Sequence, residues 1–179
     1  MMQEDIKKVL ISEEQIRERC AQLGKEISDY YRNDERELVV VGILKGSVQF
    51  MAELLKYIDL YITIDFMCVS SYAGTESVGD IKIIKDLDRS VIGKNLLLVE
   101  DIVDSGITIK RLKEMLYNKG ANEVRVVSML DKPSRRTVDV AADYIGFEVE
   151  NEFVVGFGLD YNQKYRNLPY VGVLKDELY

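Results

Sequence analysis

Leu96-Leu97-Leu98-Val99-Glu100-Asp101-Ile102-Val103-Asp104-Ser105-Gly106-Ile107-Thr108 sets an unbroken apolar run against three carboxylates and a short hydroxyl-rich turn. Four aliphatic side chains in a row fit a strand covered on both faces, the habit of parallel sheets. The segment after the turn predicts a helix to Lys119, ended by Gly120, which takes left-handed backbone without cost. Leu38 to Ile43 (LVVVGI) is a second such strand; Leu44-Lys45-Gly46 is a tight turn, and Ser47 is placed to cap the helix VQFMAELLKYI. Val124 to Leu130 predicts a third buried strand, and Leu60 to Val69 one rich in β-branched and aromatic residues, resumed at Ile81 to Ile84. Upstream, Ser12-Glu13-Glu14-Gln15 has the capping-box form and opens an amphipathic helix to about Arg32. From Asp143 onward only short strands (DYIGFEV, FVVG, YVGVL) are expected. Strands alternating with helices predict an α/β fold: a mainly parallel twisted sheet flanked by helices, in one domain over residues 1–179.

Open sheets of this kind bind ligands at the carboxyl ends of their strands, which singles out residues 44–47 and 100–108. A tight turn can bring Glu100, Asp101 and Asp104 to one rim, while Ser105 to Thr108 lead into a helix N-terminus, where free N–H groups and the macrodipole favour an anion. Gly106 lets backbone approach such a group closely. Carboxylates beside a phosphate would repel it unless a hard cation or sugar hydroxyls lie between. Oxygen ligands alone favour Mg²⁺ over zinc, and the chain has no histidine.

That missing histidine also removes Ser-His-Asp and Cys-His catalysis. There is no G-x-x-x-x-G-K-[ST] phosphate loop, and Gly156-Phe157-Gly158 lacks the third glycine of a dinucleotide fingerprint. The formal net charge of −7 is a poor footprint for nucleic acid, so no nucleic-acid partner is expected. No apolar stretch reaches a bilayer-spanning length, and MMQEDIKKVL lacks a secretory signal's basic and apolar regions; no membrane partner and a cytoplasmic address are expected. Spacing alone leaves a Cys20–Cys68 disulfide open, but so few cysteines in a cytosolic chain predict free thiols. Ser70 to Asp80 (SSYAGTESVGD) is polar and aperiodic, and is expected to be a mobile loop.

The run Leu98 to Thr108 resembles the motif by which type I phosphoribosyltransferases bind 5-phosphoribosyl-1-diphosphate (PRPP), and nearly the whole chain is similar to the hypoxanthine-guanine phosphoribosyltransferases. Leu44-Lys45-Gly46-Ser47 looks like that family's diphosphate turn. Ser71-Tyr72 falls at its mobile catalytic loop, Lys132 opens its purine region, and Phe153 to Gly156, Leu159-Asp160-Tyr161 and Tyr165-Arg166 match its base pocket and second diphosphate site. The resemblance implies a small hood formed by residues 1–12 and 150–179. It implies Glu100 and Asp101 on the ribose hydroxyls, with Mg²⁺ bridging ribose and diphosphate, and Asp104 assisting deprotonation at purine N7. It further implies a 5′-phosphate cradle of Ser105, Gly106, Ile107 and Thr108, diphosphate contacts from Lys45, Gly46 and Arg166, and a second Mg²⁺ at Asp160. Lys132 would donate to the 6-oxo group, Phe153 would stack on the ring, and Val154 and Leu159 would meet its edge.

The implied activity is transfer of phosphoribose to hypoxanthine or guanine, a choice that side-chain identity leaves open, by a homodimer or homotetramer. Ser105 stands where many members have threonine, and Ser47 where many have glycine. Duller roles stand beside these. Asp160 and Arg166 could form a structural ion pair, Phe153 could be ordinary core, and Lys132 a solvated lysine before Pro133. Other classes weighed are a transferase for xanthine or a pyrimidine, and a PRPP sensor that binds RNA or DNA.

Overall fold

Leu38–Leu44 (β2) and Asn95–Val103 (β5) lie side by side, parallel, at the centre of a six-stranded sheet in a computed structural model that describes residues 2–71 and 81–179. On one side follow Ile62–Ser71 (β3) and Ile81–Lys85 (β4); on the other, Glu123–Asp131 (β6) and Tyr144–Glu148 (β7). Only the β3–β4 pair is antiparallel. The central strands are buried on both faces, which is why their sequences do not alternate in polarity.

The two faces of β5 divide the core by the two-residue period of a strand. Leu97 and Val99 join a cluster with Ile16, Leu23 and Ile27 of Glu13–Tyr31 (α1) and with Phe50 and Leu54 of Val48–Leu54 (α2). Leu96 and Leu98 face the other way, against Ile109, Leu112 and Leu116 of Ile107–Asn118 (α3). α1 opens on the expected capping box: Ser12 Oγ accepts from Gln15 N–H at 3.2 Å, and Gln15 Oε1 accepts from Ser12 N–H at 2.8 Å. Gly120 follows the end of α3 at φ +90°, as its position predicted. Cys20 and Cys68 are both free, and burial pushes the Cys20 thiol up to about 12.

A separate three-stranded antiparallel sheet joins Ile6–Ile11 (β1), Val171–Leu174 (β9) and Val154–Val155 (β8), in that spatial order. The first of these strands escapes sequence patterning because IKKVLI is mostly solvent-exposed and buries only Ile11. Its chain-distant partner, not local periodicity, makes it a strand.

Several boundaries differ from expectation. β3 starts at Ile62 and runs on through Ser71, so two residues assigned to a loop are strand; the rest of that loop, Tyr72 included, lies outside the described residues. β5 continues past Val99 to Val103 because β6 keeps pairing with it as far as Asp131. Glu100 and Asp101 are therefore strand residues, and the turn begins only at Asp104. α2 stops at Leu54, with a 3-10 turn over Leu55–Tyr57. Ser47 makes no cap: its own backbone is already helical, and its Oγ donates back to the Ile43 carbonyl at 2.7 Å.

Leu97 is fully enclosed between β5 and the α1–α2 layer. Leu97→Ala is expected to cost about 3 kcal/mol through lost transfer energy and a residual cavity, read as a lower urea midpoint at unchanged slope.

Candidate active site

Because β2 and β5 are adjacent and parallel, the turns that leave them open at the same edge of the sheet. A cavity of about 340 Å³ sits there, lined by Lys45 and Gly46 after β2, by Glu100 to Gly106 and Thr108 from β5 and α3, and by Asp160 and Arg166 from the loop between the short strands. These are the two loops singled out by the sheet rule, joined by a third from far along the chain.

Two glycines set the closeness of this junction. A Cβ on Gly46 would stand 1.5 Å from Asp101 Oδ2, so any side chain there displaces the carboxylate. A Cβ on Gly158 would stand 1.9 Å from the Gly46 carbonyl oxygen, and Gly158 adopts φ +100°. The 156–166 loop is thus seated directly on the Lys45-Gly46 turn. The Leu44–Lys45 peptide bond is cis.

Electrostatics is unusual at the end of β5. Burial, reinforced by the neighbouring Asp101 charge, pushes the Glu100 carboxyl well above its ordinary value of 4.5. Asp101 is also raised, by burial first; the Ile102 N–H at 2.8 Å and the Arg166 charge pull the other way, and Asp160 adds repulsion. Asp160 and Arg166 pair at 2.7 Å, so the ion pair weighed from sequence is present, and both still line the cavity. Arg166 also donates to the Gly158 carbonyl at 2.7 Å, and Lys45 Nζ to Gln163 Oε1 at 3.4 Å.

The cradle candidates occupy the start of α3. Gly106 takes φ +83° at the N-cap, and Ser105 Oγ accepts from Ile107 N–H at 3.4 Å. Asp104 lines the cavity and pairs with Arg135 at 3.0 Å. The base-binding candidates lie beside the cavity rather than on its wall. Lys132 is 7% exposed; its Nζ donates to the Glu152 carbonyl at 2.7 Å, and burial lowers its pKa. Val154 and Leu159 are buried in the main core. Phe153 stacks on Tyr179 at 4.6 Å and meets Tyr161 edge-on at 5.5 Å. Of the two mobile-loop candidates, Ser71 ends β3 and Tyr72 lies outside the described residues.

Gly158, Gln163 and Arg135 were given no role in the site from sequence. Gln163 carried a usable signal: three residues from both Asp160 and Arg166, its N–H donates to Asp160 Oδ2 at 2.8 Å and its Oε1 accepts from Arg166 at 3.3 Å. Gly158 and Arg135 act only through contacts distant in sequence and carried none.

Residues 12–162 match the phosphoribosyl transferase domain family, and the mainly parallel, helix-flanked sheet has the architecture that family's structures share. The chain belongs to that family, among its hypoxanthine-guanine phosphoribosyltransferases. It is 51% identical to the hypoxanthine-guanine phosphoribosyltransferase of Bacillus subtilis over 180 residues, which cover all of this chain and 99% of that one. It is 52% identical to the bifunctional protein TilS/HprT of Listeria monocytogenes, but spans only 27% of that longer protein's length. A solved hypoxanthine phosphoribosyltransferase from Staphylococcus aureus superposes with a TM-score of 0.93 at 47% identity, covering 100% of this chain and 98% of that one. The Trypanosoma cruzi hypoxanthine phosphoribosyltransferase solved in complex with the product IMP gives a TM-score of 0.93 at 36% identity, each chain covered to 98%.

In buffer free of divalent cations, Glu100→Gln is expected to raise the melting temperature at neutral pH. A carboxyl whose folded pKa is raised stabilises the fold only while protonated, so the wild type loses stability as pH climbs from about 4.5, while the neutral amide does not. The gap should close as pH falls towards 4.5; thermal melts across that range read it directly.

Proposed function

We infer that this chain is an enzyme of purine salvage that transfers the 5-phosphoribosyl group of PRPP to N9 of hypoxanthine or guanine, releasing diphosphate and IMP or GMP. The observation that carries this is the meeting, in one cavity, of the Lys45-Gly46 turn, the Glu100–Asp101 pair and the Asp104–Thr108 helix start. Each suits one part of PRPP: a turn with a cation for the diphosphate, carboxylates for the ribose hydroxyls, and a helix N-terminus for the 5′-phosphate.

The donor set also fits a magnesium ion. Two carboxylates destabilised by burial gain from a hard cation, and among the described residues no three acidic side chains form an all-protein cage. An ion that takes one or two carboxylates and completes its shell with water and substrate phosphate is the habit of Mg²⁺. Glu100 and Asp101 would hold one such ion and Asp160 a second, and when bound they would neutralise charge on the diphosphate.

The chain's own residues then divide the work. Purine N9 attacks C1 of the ribose as the C1–oxygen bond to diphosphate breaks. Lys45 and Arg166 stabilise the charge building on the departing group. Asp104, at the mouth of α3, accepts the proton lost from purine N7. Lys132, desolvated and within electrostatic reach of Asp104, donates to the 6-oxo group once it leaves the Glu152 carbonyl. Phe153 offers its ring to the base; Val154 and Leu159 bound the base site, and Ser71 and Tyr72 are carried over from the family as catalytic residues. The described residues contain no helix long and apolar enough to cross a membrane, and action in the cytoplasm is carried over from the family. Assembly as a homodimer or homotetramer is carried over from the family and is read by light scattering.

Diphosphate release with hypoxanthine, guanine, xanthine or uracil, assayed in turn in magnesium buffer, tests the substrate class; activity with uracil alone would overturn it. Asp104→Ala is expected to lower kcat by about 10²- to 10⁴-fold while PRPP still binds. Arg166→Ala should raise the KM for PRPP and weaken inorganic diphosphate binding in parallel, and an unchanged diphosphate affinity would remove that contact.

A further inference from the structure

Arg136 lies outside the cavity wall, and nothing in the transferase chemistry above uses it. It is nonetheless one of the best-held side chains in the molecule, 15% exposed and paired with the buried Asp131 carboxylate at the end of β6. Its guanidinium is spread over the backbone of the turn that carries the anion cradle. Nε donates to the Asp104 carbonyl at 3.0 Å, one terminal nitrogen reaches the Val103 carbonyl at 3.5 Å, and the other donates to the Val140 carbonyl. The following residue continues the grip: Thr137 donates to the Ser105 carbonyl through its N–H at 3.0 Å and its Oγ1 at 3.3 Å. Val103 O also accepts from Lys132 N–H at 3.0 Å, and Gly106 O from Lys110 N–H at 3.0 Å.

Every carbonyl from 103 to 106 is therefore turned towards the 132–137 segment or into α3. In a trans peptide the N–H points opposite to the C=O of the same unit, and these peptides are trans. Carbonyls of 103, 104 and 105 drawn towards Lys132, Arg136 and Thr137, none of which lines the cavity, aim the N–H groups of Asp104, Ser105 and Gly106 at the cavity, which those three residues do line. Arg136 also packs against the turn: its Cδ lies 2.8 Å from where a Gly106 Cβ would be, beside Val140 Cγ1 at 2.6 Å.

We propose that Arg136, locked by Asp131, is a positioning residue for the 5′-phosphate: it holds the 103–105 carbonyls outward so that the turn's amides present a ready-made anion site. It touches no substrate. Arginine is suited to this because its planar fork satisfies several acceptors from one charge, which the point charge of lysine cannot do. Preorganised amides bind an anion without first spending free energy on reorganisation. The inference rests on the transferase activity proposed above, because it takes the cradle's ligand to be a sugar 5-phosphate.

The test is a calorimetric comparison of ribose 5-phosphate, which engages the cradle, with inorganic diphosphate, which engages Lys45 and Arg166. Arg136→Lys keeps a cation beside Asp131, and the double variant Arg136→Met with Asp131→Asn leaves no buried charge unpaired, so at least one is expected to fold. Both should lose about tenfold or more in ribose 5-phosphate affinity, the scale of losing hydrogen bonds from a charged donor. Diphosphate affinity should stay within about twofold, since its contacts are elsewhere. Equal loss of both ligands would mean that Arg136 merely supports the fold, and an unchanged ribose 5-phosphate affinity would leave it no role in the cradle; either overturns the proposal. A wild-type protein that ignores ribose 5-phosphate would overturn the proposed activity itself, and this inference with it.

Discussion

Two neighbouring carboxylates, Glu100 and Asp101, are held largely out of water towards the end of a central strand enclosed on both faces. Removing an anion from water costs several kcal/mol unless something of opposite charge or a set of hydrogen bonds replaces the solvent. Among the described residues compensation is partial, from the Ile102 and Asp101 N–H groups and the Arg166 charge on Asp101. The free energy comes from elsewhere: β5 is enclosed on both faces, and the two aliphatic clusters it separates supply apolar burial far exceeding one strained corner. What the corner gains is strength. In a poorly solvated cavity each interaction with a cation or a phosphate is worth more than it would be in water.

Closeness of backbone carries as much of the design as charge does. Gly46 has no room for a Cβ because Asp101 lies there, and Gly158 has none because the Gly46 carbonyl lies there. Three stretches separated by more than fifty residues each are thus packed main chain against main chain or carboxylate. The 156–166 loop meets this demand with uncommon backbone: Phe157, Asn162, Gln163 and Tyr165 all have positive φ. Such conformations persist only where surrounding structure over-determines them. Here Phe157 N–H bonds to the Leu168 carbonyl, Gly158 N–H to the Arg166 carbonyl, and the Tyr165 hydroxyl reaches Asp5 near the start of the chain at 2.8 Å. The N-terminal segment therefore helps to hold a loop that lines the cavity.

Legibility in the sequence followed the range of the interactions involved. The capping box of α1 and the glycine after α3 are local devices, complete within a few residues, and both were read correctly. The buried strands were plain because enclosure on both faces erases alternation. Ile6–Ile11 was missed since its identity comes from pairing with Val171–Leu174, more than 150 residues away. Ser47 was misread because a serine before a helix has two local partners to choose from, and the helical backbone already present at Ser47 chose the Ile43 carbonyl. The loop expected over 100–108 shrinks to 104–106 because β6 extends the pairing to Val103 and α3 begins at Ile107, a decision taken between elements.

By itself, then, the amino-acid sequence determined the α/β class, the two loops where ligands would gather, and the residue types able to bind a sugar diphosphate, because periodicity, punctuation and the chemistry of side chains are written locally. Only the tertiary structure decided that Asp101 lies against Gly46, that Asp160 and Arg166 pair on the wall of the same cavity, and that Arg136 grips the turn from behind. Those relations depend on strands laid side by side and on a loop folded back from the far end of the chain, and no spacing in a linear sequence encodes how near two backbones will come.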